Sequence, residues 1–223
     1  MVDSIWLRCY HTFMKPLSKI NYTWTSKLAY AIGLIATDGN LSSDERHINF
    51  TSKDLELAEI FRECIGFKGK IGIKSGRVNG VKKYFVVQPG DVVFYKFLES
   101  IGLTKKKSKT LGKLKIPRKL FYDFLRGCLD GDGSFNAFFH PQSKIPQFRV
   151  RLYSASKIFV DWIKRETLKD GINSYLTNSR EVHILGYGKK DSTKLLNLVY
   201  YGGYPKSLSR KYEYAKKYIK IEN

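Results

Sequence analysis

At 223 residues, with 43% hydrophobic and 14% aromatic residues, the chain has the material for a folded core and is not a disordered tail. Its 40 Lys and Arg against 20 Asp and Glu leave a formal charge of +20, a self-repulsion that a polyanionic partner relieves, nucleic acid first among such partners. Cys9, Cys64 and Cys128 are too few for a disulfide framework, no apolar run reaches membrane-spanning length, and the first residues lack a secretory leader, so a soluble intracellular protein is expected.

Residues 1–24 read as an N-terminal extension, and a first folded unit is expected over 25–103. Thr25 or Ser26 can cap a helix through LAYAIGLIATD, whose Leu28, Ile32 and Ile35 form a core-facing stripe and which Gly39 stops. RHINFTS then alternates His47, Asn49 and Thr51 with Ile48 and Phe50, the pattern of a half-buried antiparallel strand. KDLELAEIFRECIGF reads as a helix, and KIGIK and YFVV as strands. Lys70 and Lys74 flank Ile71 and Ile73, with Arg77 just beyond. DVVFYKFLESIG closes the unit as a helix.

Residues 104–116 are a basic linker ended by Pro117, where a second helix can begin. The second unit, expected over 117–223, repeats the order of the first. Phe121, Leu125 and Cys128 stripe its leading helix. In QFRVRLY, Gln147, Arg149, Arg151 and Tyr153 oppose Phe148, Val150 and Leu152. SKIFVDWIKRETLKDG reads as a helix, NSYLTN and VHILGY as strands, and DSTKLLNLVYYGG as a closing helix. Each unit is therefore predicted to be αββαββα, an α+β fold with an antiparallel sheet carrying helices on one face.

The two leading helices are copies. With Gly33 laid on Gly127, Asp38 falls on Asp132 and Gly39 on Gly133. Small residues four apart, Gly33 with Thr37 and Gly127 with Gly131, let two helix backbones approach closely, so the units are expected to pair across these helices about a pseudo-twofold axis. The acid ending each helix is locally unfavourable, because a helix C-terminus already carries partial negative charge. Two such ends brought together make sense around a divalent cation, and carboxylate oxygens with carbonyls and water suit Mg2+. DGDGSF does not begin an EF-hand loop: the sixth position is Phe135, where glycine is needed, and the twelfth is Pro141, where glutamate is needed.

AIGLIATDG (31–39) and LRGCLDGDG (125–133) resemble the two signature motifs of single-chain LAGLIDADG homing endonucleases, and the likeness in order and size extends over all but the first twenty or so residues. The resemblance implies a monomeric, site-specific endonuclease that binds a long asymmetric double-stranded DNA target, with intron RNA a partner of some members; an RNA-binding intron maturase and a non-cleaving DNA-binding regulator on the same fold are the alternative readings. It implies Asp38 and Asp132 as metal ligands, with the backbone carbonyls of Thr37 and Gly131 beside them. Mg2+ is the expected cofactor, with Mn2+ substituting and Ca2+ binding without supporting efficient cleavage. Lys53 and Lys157, each following a strand and a serine, match the basic residue that many members place near the reacting water. The consensus acid at the sixth motif position is present as Asp130 but replaced by Ala36 in the first motif. The expected DNA-reading residues lie on the polar strand faces: His47, Asn49, Thr51, Lys70, Lys74, Arg77, Gln147, Arg149, Arg151 and Tyr153, with Asn173, Tyr175, Thr177, Arg180 and His183 in the last two strands.

Overall fold

The computed structural model describes residues 20–75, 83–139, 146–202 and 206–219. Arg77 lies outside the described residues, as do residues 1–19.

The first unit runs α1 (Ser26–Asp38), β1 (Gly39–Leu41), β2 (Ile48–Ser52), α2 (Leu55–Cys64), β3 (Gly72–Ser75), β4 (Lys83–Val87) and α3 (Val92–Ser100). The second runs α4 (Phe121–Asp132), β5 (Gly133–Phe139), β6 (Pro146–Ser154), α5 (Lys157–Leu168), β7 (Tyr175–Ser179), β8 (Val182–Tyr187) and α6 (Lys189–Val199). Each unit holds one antiparallel four-stranded sheet, ordered β1-β2-β4-β3 and β5-β6-β8-β7. A further helix, α7 (Ser209–Lys216), follows the second unit and has no counterpart in the sequence-based expectation.

Local chemistry explains the leading helices. The Thr25 hydroxyl accepts from Leu28 N at 3.1 Å and so satisfies one of the unpaired donors of α1. Leu28 through Ala36 are buried without a break, and Phe121, Phe124, Leu125, Cys128 and Leu129 are buried in α4. A helix apolar on all sides must be covered on all sides. Each motif helix packs on its own sheet and against the other, and the α1–α4 contact is the most extensive between any two helices described.

That contact depends on glycine. A Cβ on Gly33 would lie 2.1 Å from the Phe124 carbonyl oxygen, and one on Gly127 would lie 2.1 Å from that of Tyr30. Gly39 and Gly133 are needed for a different reason from the one expected. Both have extended backbones, with φ of −91° and −94°, rather than the left-handed conformation usual for a glycine past a helix end. A side chain there would run into Ile35 or Leu129 of the preceding turn, because the chain folds sharply from helix into strand.

The strands alternate as their sequences require. In β2, Ile48 and Phe50 are buried while Asn49 and Thr51 are half-buried on the opposite face. In β6, Phe148, Val150 and Leu152 are buried and Gln147, Arg149, Arg151 and Tyr153 lie on the open face. Helices α2, α5 and α6 cover the buried faces, and among the described residues the opposite, polar face of each sheet is left open.

The segments after α3 and after α6 cross between units. The Leu111 carbonyl accepts from Ser156 Oγ, the cap of α5, at 2.6 Å. In return, Ser209 bonds Glu56 of α2 and Arg210 bonds Asp54, which begins α2, at 2.8 Å. No helix among the described residues is long and apolar enough to cross a membrane.

Candidate active site and sheet faces

Because the helices meet through glycine, their C-terminal ends arrive together. A Cβ on Gly131 would lie 2.8 Å from Asp38 Oδ2, so the carboxylate of the first motif rests against the backbone of the second. Thr37 turns its hydroxyl back to the carbonyls of Gly33 and Leu34, at 3.2 and 3.1 Å, which leaves the helix end to Asp38. Both Asp38 and Asp132 reach solvent. Desolvation by the surrounding protein, reinforced by the negative charge of Asp132, pushes the Asp38 carboxyl up to about 6. Desolvation also raises Asp132.

Two cations counter this, and both are buried. Lys107 Nζ donates to the Gly39 carbonyl at 2.6 Å. Lys211, on α7, donates to the carbonyls of Leu129, Asp130 and Gly133 at 2.6, 2.8 and 2.8 Å. Each motif helix thus ends on an ammonium group, which offsets the dipole end that its aspartate aggravates. The positive charges of Lys107 and Lys211 pull both aspartates down against desolvation. Burial in turn lowers Lys107 to about 8, with the two aspartates opposing the shift, and it also lowers Lys211.

The cations whose charge acts on the two acids are thus Lys107 and Lys211. Lys53 is exposed, its Nζ 5.8 Å from the centre of the Tyr84 ring. Lys157 is exposed at the start of α5 and bonds Asp161 at 2.6 Å. Lys107 and Lys211 carry no sequence signal of their own in a chain this basic, and only their burial singles them out, since lysine is rarely inside.

Asp130 is structural in its contacts. It is buried, and Oδ2 accepts from the Tyr30 hydroxyl of α1 at 2.7 Å and from Leu208 N, just before α7, at 2.8 Å. Alongside it Arg126 bonds Asp123 at 2.8 Å and the Val199 carbonyl at 2.7 Å, and Tyr201 bonds Asp123. This buried network anchors the segment that leads into α7 and hence Lys211.

The expected reading residues divide. Asn49, Thr51, Gln147, Arg149, Arg151, Tyr153, Tyr175 and Thr177 lie on the open sheet faces by register, as does Lys74 opposite Tyr84. Lys70 is exposed just before β3, and His47 precedes β2, held by the Asp44 carboxylate. Asn173 lies outside the strand, its backbone N–H bonded to Asp191, and Arg180 sits in the β7–β8 turn at φ 55°. His183 faces the other way. It pairs with Asn178 and Ser154 in the row parity of Leu185 and Leu152, so it projects on the helix-covered side and bonds Asn178 at 2.8 Å. The open positions of β8 belong to Val182, Ile184 and Gly186. Alternation alone does not say which set faces out; the register does.

Two sheets with helices on one face, paired through glycine-packed helices that end in aspartate, define a two-motif class of α+β protein. Residues 122–199 match the family model for the LAGLIDADG-like domain, and the fold of the whole chain is that of two-motif LAGLIDADG proteins. Among solved structures it resembles the homing endonuclease I-WcaI bound to its DNA recognition sequence, with TM-score 0.58 and 17% identity over 82% of this chain and 85% of that one. It resembles I-DmoI in complex with DNA and Mn, with TM-score 0.52 and 16% identity over 79% and 97%. Full-length DUF199/WhiA from Thermatoga maritima matches with TM-score 0.56 and 16% identity over 88% of this chain and 61% of that one. An A-type ATP synthase component of Methanopyrus kandleri is 26% identical over 107 residues, 48% of this chain; the chain matches only 10% of the length of that curated relative.

Proposed function

We propose that this chain is a site-specific, divalent-metal-dependent endonuclease that breaks both strands of a long asymmetric DNA target as a monomer. The observation that carries the reading is the acid pair: Asp38 and Asp132 at adjoining helix ends, solvent-accessible, each backed by a buried ammonium group. A protein that only bound DNA would gain nothing from two carboxylates facing a phosphate backbone.

The donor set fits magnesium. Among the described residues no cluster of three or more His, Cys, Asp and Glu exists. Mg2+ commonly takes one or two carboxylates and fills its remaining positions with water and substrate phosphate. Asp38 and Asp132 would hold it, with the main-chain carbonyls at Thr37 and Gly131 nearby. When bound, the cation supplies an acidified water and neutralises charge developing on the phosphorus. One of the fold relatives, I-DmoI, was solved in complex with DNA and Mn and in complex with DNA and Ca.

The protein's own groups do the rest. Asp38 and Asp132 each serve one strand, and Lys107 and Lys211 hold positive charge at the helix ends, where they keep the acids ionised and attract the scissile phosphates. Lys53 and Lys157, out on the surface, serve as phosphate contacts. The open sheet faces enter successive major grooves, where base edges can be told apart. Because the two faces differ in sequence, the target is not a palindrome.

The test needs no known target. The purified protein is incubated with a highly diverse pool of duplex DNA, with Mg2+ or with EDTA, and the new ends are sequenced. Reproducible Mg2+-dependent ends sharing one long sequence are expected. A sequence enriched on pull-down but never cut would overturn the enzymatic reading and leave a DNA-binding protein.

A further inference from the structure

The two open faces are chemically unlike. Among the described residues, β2, β3 and β4 present Asn49, Thr51 and Lys74 but no arginine. The second sheet presents two arginines in adjacent open positions of β6, and both are held in place.

Arg151 pairs with Gly186 of β8, and Gly186 pairs in turn with Tyr175 of β7. Gly186 offers no side chain, and the Tyr175 ring occupies the vacant space. A Cβ on Gly186 would lie 2.4 Å from Tyr175 Cζ and 2.6 Å from its hydroxyl oxygen. The tyrosine therefore lies across the middle strand beside Arg151, and the neighbouring hydroxyls of Tyr153 and Tyr175 favour the charged guanidinium against the cost of its burial. Tyr153 is itself steadied by Ser134 Oγ at 3.2 Å. One position further out, the Arg149 guanidinium lies 3.8 Å from the centre of the Phe138 ring, a stacked cation–π contact.

We infer that Arg151, aimed by Tyr175 across Gly186 and by Tyr153, and Arg149, aimed by Phe138, form a preorganised guanine-reading row in the half of the target beneath the second sheet. The inference rests on the DNA-binding part of the function proposed above and adds to it the identity of two bases and their order. Guanine is the base whose O6 and N7 accept a planar fork in the major groove, and lysine, a point charge on a flexible stem, does not substitute for that fork. A side chain fixed before binding loses little rotamer freedom on contact, so these two positions carry discrimination as well as charge. The register sets their order. Tyr153 lies opposite the Asp132 end of the site, Arg151 is the next open position away from it, and Arg149 is the one after. Alternate residues of an antiparallel strand are about 6.8 Å apart, which matches about two base-pair rises along a groove. The chain thus specifies two guanines about two base pairs apart, the Arg151 guanine being nearer the cleavage centre.

The test is selection from a randomised duplex pool by pull-down in Ca2+, with wild-type protein, Arg151→Gln and Gly186→Val, each checked for a wild-type unfolding temperature within a few degrees. The wild type is expected to enrich sites with the paired guanines on one side. Arg151→Gln should lose preference at the nearer guanine only. Gly186→Val, which leaves the arginine in place but evicts Tyr175, should weaken the same preference. Replacing that guanine by 7-deazaguanine, which lacks the N7 acceptor, should weaken wild-type binding on the order of tenfold and Arg151→Gln binding little. An enriched site without the guanine pair would overturn the inference and leave DNA recognition standing. So would a uniform loss of affinity across all sequences in Arg151→Gln, the mark of a phosphate contact. Full guanine preference in a folded Gly186→Val would overturn the role of Tyr175. Enrichment of no sequence by the wild type would sink both this inference and the function it rests on.

Discussion

Gly33 and Gly127 face each other so closely that a Cβ added to Gly127 would lie 3.1 Å from the Gly33 Cα and 2.1 Å from the Tyr30 carbonyl oxygen. The obstacle is backbone, which cannot rotate aside, so Gly127→Ala must push α1 and α4 apart. Overpacking of this kind costs about 1–3 kcal/mol. The expected result is a fall in stability toward the upper end of that range in urea unfolding, with cleavage reduced because Asp38 and Asp132 separate. Wild-type stability in Gly127→Ala would show that the helices are not tightly apposed at this crossing.

Asp38→Asn and Asp132→Asn keep the shape of the side chain and remove its charge. Each variant is expected to lose double-strand cleavage and to bind target DNA within severalfold of wild type, because the sheet faces are untouched. Both variants also relieve repulsion between neighbouring carboxylates and should unfold no earlier than the wild type. Cleavage assays on supercoiled and linear substrate, paired with gel-shift titration, check both halves. Undiminished cleavage by either variant would remove that aspartate from the chemistry.

The two buried lysines should separate in their stability cost. Lys107 bonds one carbonyl, whereas all three ammonium protons of Lys211 go to carbonyls at the end of α4. Lys107→Met removes one bond to a carbonyl, and Lys211→Met removes three, though the Leu129 carbonyl keeps its bond from Gly133 N, at roughly 1–3 kcal/mol for each group left unsatisfied in full. Relaxation and water entry reduce the sum, so Lys211→Met is expected to lose about 2–4 kcal/mol and Lys107→Met about 1. Both should slow cleavage on the order of a hundredfold. Lys53→Ala and Lys157→Ala should slow it only severalfold, as surface phosphate contacts do. Strong loss in the surface pair with none in the buried pair would reverse the roles of the two pairs.

Much of this architecture was legible in the residues. The recurrence of glycine, acid and glycine at Gly33, Asp38 and Gly39 and again at Gly127, Asp132 and Gly133 marked the paired helices, and alternation in RHINFTS and QFRVRLY marked the central strands. What escaped detection depends on long-range placement. Lys107 and Lys211 look like any lysine in a chain with 40 basic residues until burial distinguishes them. The face of His183 is set by the pairing of β8 with β6, which VHILGY does not encode. Helix α7 is short and polar on most sides, and it is held by contacts to Asp54 and Glu56 more than 150 residues away in sequence. Gly39 and Gly133 were recognisable as helix ends, but the need for glycine there comes from the close approach of the preceding turn.

Asp130 offers a test of how the buried network serves the site. Its Oδ2 takes two donors, the Tyr30 hydroxyl and Leu208 N, while Oδ1 is buried without a partner, as is the hydroxyl of Tyr200. Burial, and after it the charge of Asp130, hold the Tyr200 hydroxyl well above its usual range, so it stays protonated. Burial pushes the Asp130 carboxyl up to about 6, so the charge itself is held at a cost. An asparagine keeps one oxygen for both donors and puts an amide in place of the unpartnered oxygen. Asp130→Asn should therefore stay within about 1 kcal/mol of wild type. Asp130→Ala strips the acceptor from two buried donors and should lose about 2–4 kcal/mol. It should also release the start of α7, whose Leu208 carbonyl accepts from Lys211 N at 3.0 Å, and so slow cleavage more than the loss of stability accounts for. Urea unfolding and cleavage rates at a temperature where every variant is folded separate the two effects. Equal activity in the alanine and asparagine variants would show that Lys211 holds its place without Asp130.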